Sequence, residues 1–274
     1  MADEEWTPAG IDPTKPNVAR VYDYLLGGKD NFAVDRELGE EILRMVPEAR
    51  ESGVANRGFL RRAVRYLVAE AGVRQFLDIG SGLPTQGNVH EIAQDLDPRA
   101  RVVYVDNDPV VLVHTRALLE NLDTTAVIMG DLRRPDEILE NRTLRRFLDF
   151  DQPIGLLMIS ILHHINDHED PVGITETLRD ALAPGSHMAI THFHNPGDER
   201  PEDAALALAS EKQFNERFGT GRWRSREEIK ACFGDWELVK PGLVPMPAWR
   251  PDVAGRQTLG GVFHRTLSGV ARKK

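Results

Sequence analysis

Five short apolar runs, each closed by polar or glycine residues, constrain this chain most. They are Gln75–Ile79, Val102–Val105, Ala126–Met129, Ile154–Ile159 and His187–Phe193. Helix-like stretches separate them. Val89, Ile92, Ala93 and Leu96 recur at helical spacing after the first run. Asp108-Pro109 and Asp170-Pro171 each place an N-cap residue before a proline at the first helical position, and Pro184-Gly185 stops the second of these helices. Alternation of this kind predicts an α/β fold with a mostly parallel sheet and helices on both faces.

The flanks differ in character. The first 16 residues hold Pro8, Gly10, Pro13 and Pro16 and read as an extended arm. Val34, Leu38, Ile42 and Met45 predict a helix that ends before Pro47. A second helix is expected from Asn56, as N-cap, to Gly72, with Leu60, Ala63, Val64, Leu67 and Ala71 on its apolar face. Residues 1–55 therefore read as an arm and helical cap or lid, and 56–274 as the main domain. Beyond Asn195, Glu202–Phe218 looks helical and Ser225-Arg226-Glu227-Glu228 is a capping-box pattern. Two β-like runs, Trp236–Val244 and Val262–Leu267, would extend the sheet at one edge. Arg272-Lys273-Lys274 reads as a frayed tail.

Composition narrows the setting. A net charge of −9 argues against a nucleic-acid partner, because phosphate binding calls for an excess of Lys and Arg. The apolar runs Ile154–Ile159 and Val110–Val113 fall far short of the roughly 18 residues that span a bilayer, so no membrane role is expected. The N-terminal Asp3, Glu4 and Glu5 stand where a signal peptide would be basic and then apolar. The single cysteine, Cys232, excludes an internal disulfide and a thiolate-rich metal site. A cytoplasmic location fits these features.

In open α/β sheets, ligands bind outside the carboxyl ends of the strands. Here the runs end in Asp78-Ile79-Gly80-Ser81-Gly82, in Asp106-Asn107-Asp108, in Gly130-Asp131, in Ser160 to His164, and around His192 and His194. Gly80 and Gly82 permit a tight turn and a close approach of ligand to backbone. Asp106 follows Gly82 by 24 residues, at the position from which an acid accepts hydrogen bonds from a ribose diol. Asp131 suits the amino edge of an adenine. Together these predict a nucleoside-bearing cofactor. A dinucleotide would call for Gly-x-Gly-x-x-Gly, but the third position here is Thr85. An acid at Asp78 also disfavours a pyrophosphate and suits a cationic amino-acid moiety. The pattern fits S-adenosylmethionine better than NAD.

The run Phe76-Leu77-Asp78-Ile79-Gly80-Ser81-Gly82 resembles the Asp/Glu-x-Gly-x-Gly motif of class I S-adenosylmethionine-dependent methyltransferases. Val103-Tyr104-Val105-Asp106, Gly130-Asp131-Leu132 and Ser160-Ile161-Leu162-His163-His164 are similar to their later motifs, and Leu182-Ala183-Pro184-Gly185-Ser186 to the turn before their fifth strand. The segment from Pro16-Asn17-Val18-Ala19-Arg20 through Tyr22-Asp23-Tyr24 to Gly27-Gly28-Lys29-Asp30-Asn31-Phe32, with Ser81-Gly82-Leu83-Pro84-Thr85, resembles a largely actinobacterial family of S-adenosyl methyltransferases. Pro84 and Ser81 depart from the general class I pattern.

The resemblance implies a Rossmann-like class I methyltransferase fold, S-adenosylmethionine as cofactor, and transfer of its methyl group to an acceptor, more readily a small molecule than a macromolecule. Asp78, Gly80, Ser81 and Gly82 would line the methionine end, Asp106 and Asn107 the ribose, Asp131 and Leu132 the adenine. Ser160 would adjoin them. Tyr22 and Asn31 would contact the cofactor from the lid. His163, His164 and Tyr24 are the catalytic candidates. A general base is needed only if the acceptor must lose a proton. His163, His164, Asp167, His168, Glu169 and Asp170 crowd together, yet the spacing of a metal helix such as His-Glu-x-x-His is missing, so no metal is expected. The alternatives are a non-catalytic sensor of the same cofactor and a nicotinamide-dependent oxidoreductase.

Overall fold

A computed structural model describes residues 12–84, 87–119, 123–252 and 261–274. Most of the expected arm, residues 1–11, and Thr85 lie outside the described residues. Three helices open the chain: α1 (Val18–Leu25), α2 (Ala33–Met45) and α3 (Ala49–Ala69). The alternation follows as β1 (Gln75–Ile79), α4 (Val89–Leu96), β2 (Arg101–Asp106), α5 (Pro109–Leu119), β3 (Thr125–Met129), α6 (Pro135–Leu139), α7 (Arg142–Phe147), β4 (Ile154–Ile159), α8 (Pro171–Asp180) and β5 (His187–Phe193). Then come α9 (Pro201–Phe218), α10 (Arg226–Ala231), β6 (Glu237–Leu238) and β7 (Thr266–Arg272).

The sheet order is β3-β2-β1-β4-β5-β7-β6. The first five of these strands run parallel, and β7 pairs antiparallel with β5, from His187 opposite Arg272 to Phe193 opposite Thr266. Strand order reverses between β1 and β4, so a crevice opens at their carboxyl ends. The period of two along a strand sorts the two faces. Leu77 and Ile79 of β1 join the core under α6, α7, α8 and α10, whereas Phe76 packs with Phe59, Leu60 and Leu67 of α3. Asp78 shares the Phe76 parity, and so points toward α3.

Several expectations need correction. Asn56 does not cap a helix. It sits inside α3, which begins seven residues earlier at Ala49. The division at 55/56 therefore falls within one continuous helix, which cap and main domain share. Gly72 does adopt the left-handed conformation, with φ +73. Of Trp236–Val244, only Glu237–Leu238 is strand, because Pro241 and Gly242 (φ +94) turn the chain away. The last strand lies later than expected: Gly261–Arg265 is a 3-10 turn, and β7 begins at Thr266. The tail is anchored. The Lys273 Nζ donates to the carbonyl oxygens of Leu182 (2.7 Å) and Arg179 (2.9 Å) at the end of α8.

The cap is pinned to the sheet domain by a buried cation. Arg20 of α1 pairs with Asp35 of α2 at 2.9 Å and approaches Asp108, before α5, at 3.9 Å. Among the described residues, no helix is long and apolar enough to cross a membrane.

Candidate active site

A cavity of about 350 Å³ opens at the carboxyl ends of the parallel strands, roofed by α1, α2 and α9. The glycine turn forms one wall. The Gly80 N–H donates to the Val105 carbonyl at 2.8 Å, with Gly80 at φ +72 and Gly82 at φ +67. A Cβ on Gly80 would lie 2.5 Å from the Ile161 side chain, whereas one on Gly82 would meet nothing within 4 Å. The first glycine is thus required by packing. The second leaves open space for a ligand beside the backbone.

Asp106 holds this turn from the next strand. Its Oδ2 accepts from the Gly82 N–H (2.8 Å) and its Oδ1 from the Asp108 N–H (2.9 Å). A carboxylate offers about four acceptor sites, so each oxygen keeps capacity for a ribose hydroxyl. Burial pushes the Asp106 carboxyl up to about 6. Burial raises Asp78 further, to about 7, against the nearby Arg57 guanidinium, which pulls it down. A buried carboxylate in that condition gains from a cationic partner. The Ser81 Oγ is buried without a hydrogen-bond partner. These are the features that the methionine end of S-adenosylmethionine would satisfy. Asn107, Asp131 and Leu132 line the same cavity. Asp131 accepts from the Arg133 N–H at 3.0 Å and Leu132 is buried.

At the end of β4, Ser160 takes φ 59. Its N–H donates to Thr191 Oγ1 at 2.8 Å, and that hydroxyl donates to Asn56 Oδ1 at 2.7 Å. The Asn56 Nδ2 donates in turn to the Tyr22 hydroxyl at 3.0 Å, which donates to the Gly53 carbonyl at 3.2 Å. Tyr22 therefore lines the cavity as the lid end of a polar chain. Tyr24 does not. Two residues along a helix are about 200° apart, so Tyr24 faces α2 instead. Its ring lies against Gly39 and its hydroxyl bonds the Glu40 carboxylate, outside the cavity. Asn31 also lies outside the cavity lining. Its Nδ2 donates to Asp23 Oδ2 (2.8 Å) and to the Gly28 carbonyl (3.1 Å), which orders the glycine-rich loop.

His163 and His164 occupy a 3-10 turn after β4 and line the cavity. Burial depresses both, His163 well below its ordinary value and His164 to about 4, so both imidazoles are neutral near pH 7. The Nδ1 atoms of both rings are buried without a partner. His192 is fixed differently: its Nδ1 donates to the Phe193 carbonyl (2.6 Å) and its Nε2 accepts from Arg224 (3.0 Å). The neighbouring acids are engaged elsewhere. Asp167 pairs with Arg224, Glu169 with Arg133, and Asp170 caps α8. Among the described residues, no group of three or more His, Cys, Asp or Glu could hold a metal ion.

Sequence reasoning missed Asn56, Thr191, Phe193, Phe214, Phe218 and Trp223, all of which line the cavity. Asn56 carried a signal. It shares its helix face with Leu60, Ala63, Val64 and Leu67, and one amide on such a face needs an inward partner.

The model of a family described as S-adenosyl methyltransferase matches residues 4–274. The chain belongs to this S-adenosyl methyltransferase family. It is an S-adenosylmethionine-dependent methyltransferase, so the nicotinamide and sensor alternatives fall away. A crystal structure of a candidate methyltransferase from Thermobifida fusca YX is 44% identical, with a TM-score of 0.92, covering 98% of this chain and 99% of that one. A DUF574 family protein from Streptomyces avermitilis MA-4680 is 38% identical, with a TM-score of 0.89, covering 96% and 99%. An O-methyltransferase family 2 protein from Planctomyces limnophilus DSM 3776, in complex with apigenin, shares the fold alone: 19% identity, a TM-score of 0.51, and coverage of 93% of this methyltransferase and 65% of that chain. No curated protein matches this methyltransferase.

Proposed function

We propose that this methyltransferase acts on a small-molecule acceptor held inside the cavity. The observation that carries the reading is continuity. One continuous cavity runs from the glycine turn at Gly80–Gly82 to the aromatic wall of Phe193, Phe214 and Trp223, beneath the cap helices. A macromolecular acceptor would need an open, extended face at the methyl position.

S-adenosylmethionine, when bound, supplies an electrophilic methyl group on a sulfonium whose departure leaves a neutral thioether. The chain's own residues bind and orient. Gly80, Ser81 and Gly82 receive the amino-acid end, and Asp78 balances its ammonium. Asp106 accepts from the ribose, and Asp131 with Leu132 borders the base. Ser160, fixed by Thr191, lines the same cavity. His163 and His164, neutral and with unpaired nitrogens, can accept a proton or a hydrogen bond from the acceptor. The cavity walls would hold the acceptor near attack geometry, which supplies much of the rate in a displacement of this type.

Two measurements test this. Calorimetric titration with S-adenosylhomocysteine should show micromolar binding that Asp106→Ala loses. No binding to the wild type would defeat the site assignment. Labelled S-adenosylmethionine incubated with a cell extract should put label into the ultrafiltrate. Label confined to precipitated protein or RNA would overturn the small-molecule reading.

A further inference from the structure

The two ends of the cavity differ in chemistry. Of the lining carboxylates, Asp78 and Asp106 stand at the glycine turn, and Asp131, after β3, is paired with Arg133 (3.2 Å). The far end is aromatic. Phe193 is stacked between the rings of His163 (centroids 3.7 Å apart, 19° between planes) and Trp223 (4.2 Å, 16°). Phe214 of α9 stands edge-on to Phe193 (5.7 Å, 80°) and to Trp223 (5.3 Å, 78°). A flat stack meeting a perpendicular ring presents a face and an edge at once. Those are the two geometries in which a further aromatic ring is attracted.

Two polar atoms at this end are spare. The buried Nδ1 atoms of His163 and His164 have no partner, and each neutral imidazole carries one donor and one acceptor. Leaving such an atom unpaired is unfavourable, and because it has almost no accessible surface, a ligand hydroxyl or N–H satisfies it once the imidazole turns toward the cavity. The cations lining this part of the cavity are Arg265 and Arg133; Arg133 reaches the His164 carbonyl (3.5 Å) and is balanced by its ion pairs with Asp131 and Glu169.

On the small-molecule reading above, we propose that the acceptor is an uncharged planar aromatic molecule. Its rings pack against Trp223 and Phe214, and its hydroxyl or ring N–H bonds to His163 or His164.

The test uses the full chain saturated with S-adenosylhomocysteine and three probes, naphthol, its saturated analogue decalinol, and naphthoate, with naphthalene as the control that lacks the hydroxyl. Titration should show naphthol binding about tenfold tighter than either of the others. Phe214→Ala, at a half-buried position on α9, should weaken naphthol about tenfold while S-adenosylhomocysteine affinity stays within about twofold. A double His163→Phe, His164→Phe variant should remove the preference for naphthol over naphthalene. Equal binding of decalinol would overturn the aromatic assignment. Tighter binding of naphthoate would overturn the uncharged assignment in favour of an acid held by Arg265 or Arg133. Failure of every probe, with S-adenosylhomocysteine still bound, would defeat this inference and leave the methyltransferase site standing. Failure of S-adenosylhomocysteine itself would defeat both.

Discussion

Thr191, near the end of β5, donates a hydrogen bond of 2.7 Å to Asn56 in the middle of α3. Both residues are buried, and 135 positions separate them. The contact joins the helix that cap and sheet domain share to the strand end that fixes Ser160. Asn56→Ala leaves the Thr191 hydroxyl and the Tyr22 hydroxyl without this partner, and should cost about 1–3 kcal/mol. Tyr22→Phe removes only the terminal hydroxyl and should cost less. Urea unfolding of the two variants at neutral pH checks the order. An equal loss would show that the chain is not coupled.

If Asp78 balances the cofactor's ammonium as proposed, it sets a pH dependence on cofactor binding. Its carboxyl is raised to about 7, and the protonated form cannot balance an ammonium. S-adenosylhomocysteine affinity should rise several-fold between about pH 6 and about pH 8, and Asp78→Asn should flatten that rise.

The same shift works against stability. A raised carboxyl holds, in the folded state, a proton that the unfolded chain releases above 3.8. Stability of the free protein is therefore lost as pH rises through that window toward about 7. His164 and His192, depressed to about 4 and about 3, act in the opposite sense, losing stability as pH falls below their ordinary 6.5. Comparing Asp78→Asn with wild type cancels that background. The variant should melt several degrees higher at about pH 8 and gain less than half as much at about pH 5. A gain of the same size at both would rule out titration as its cause.

The two turn glycines should respond unequally. Both hold positive φ, which costs an alanine about 1–2 kcal/mol. Only at Gly80 does the added carbon also strike Ile161, at 2.5 Å. Gly80→Ala should lower the melting temperature more than Gly82→Ala does. Gly82→Ala should instead weaken S-adenosylhomocysteine, because its methyl enters the space left for the ligand. Scanning calorimetry with and without ligand separates the two effects.

Lys273 should matter although it is the penultimate residue. Its ammonium caps the carbonyl end of α8, and Lys273→Met should cost about 1 kcal/mol, while removal of Lys274 should cost nothing measurable. Thermal melts of both variants decide this.

Local patterns in the sequence matched the structure where one short segment was enough. The bounds of β1, β4 and β5 agree with the apolar runs to the residue, since a central strand of a covered sheet is buried on both faces. The helix starts at Asp108-Pro109 and Asp170-Pro171 and the capping box at Ser225 also agree, because caps bond within a turn of themselves. The reading failed where a partner from elsewhere decides. Asn56 has the chemistry of a cap, but its amide is spent on Thr191 and Tyr22. The run Trp236–Val244 has β character, but Pro241 and Gly242 interrupt it, so Glu237–Leu238 pair with β7 as a strand and Val244 only as a single bridge to Ser268. Lys273 looked like a loose end because the α8 carbonyls it caps are about 90 residues away.

Sequence by itself determined the order of strands and helices and the register that sets Asp78, Gly80, Gly82, Asp106 and Asp131 at successive strand ends. Those follow from hydrophobic period and backbone freedom, which act over a few residues. Tertiary structure alone decided that Tyr22 faces the cavity while Tyr24 does not, and that His163, Phe193 and Trp223 form one stack. Such contacts depend on how faces of distant elements are turned toward each other. That is fixed by close packing of the whole core, not by any one segment's pattern.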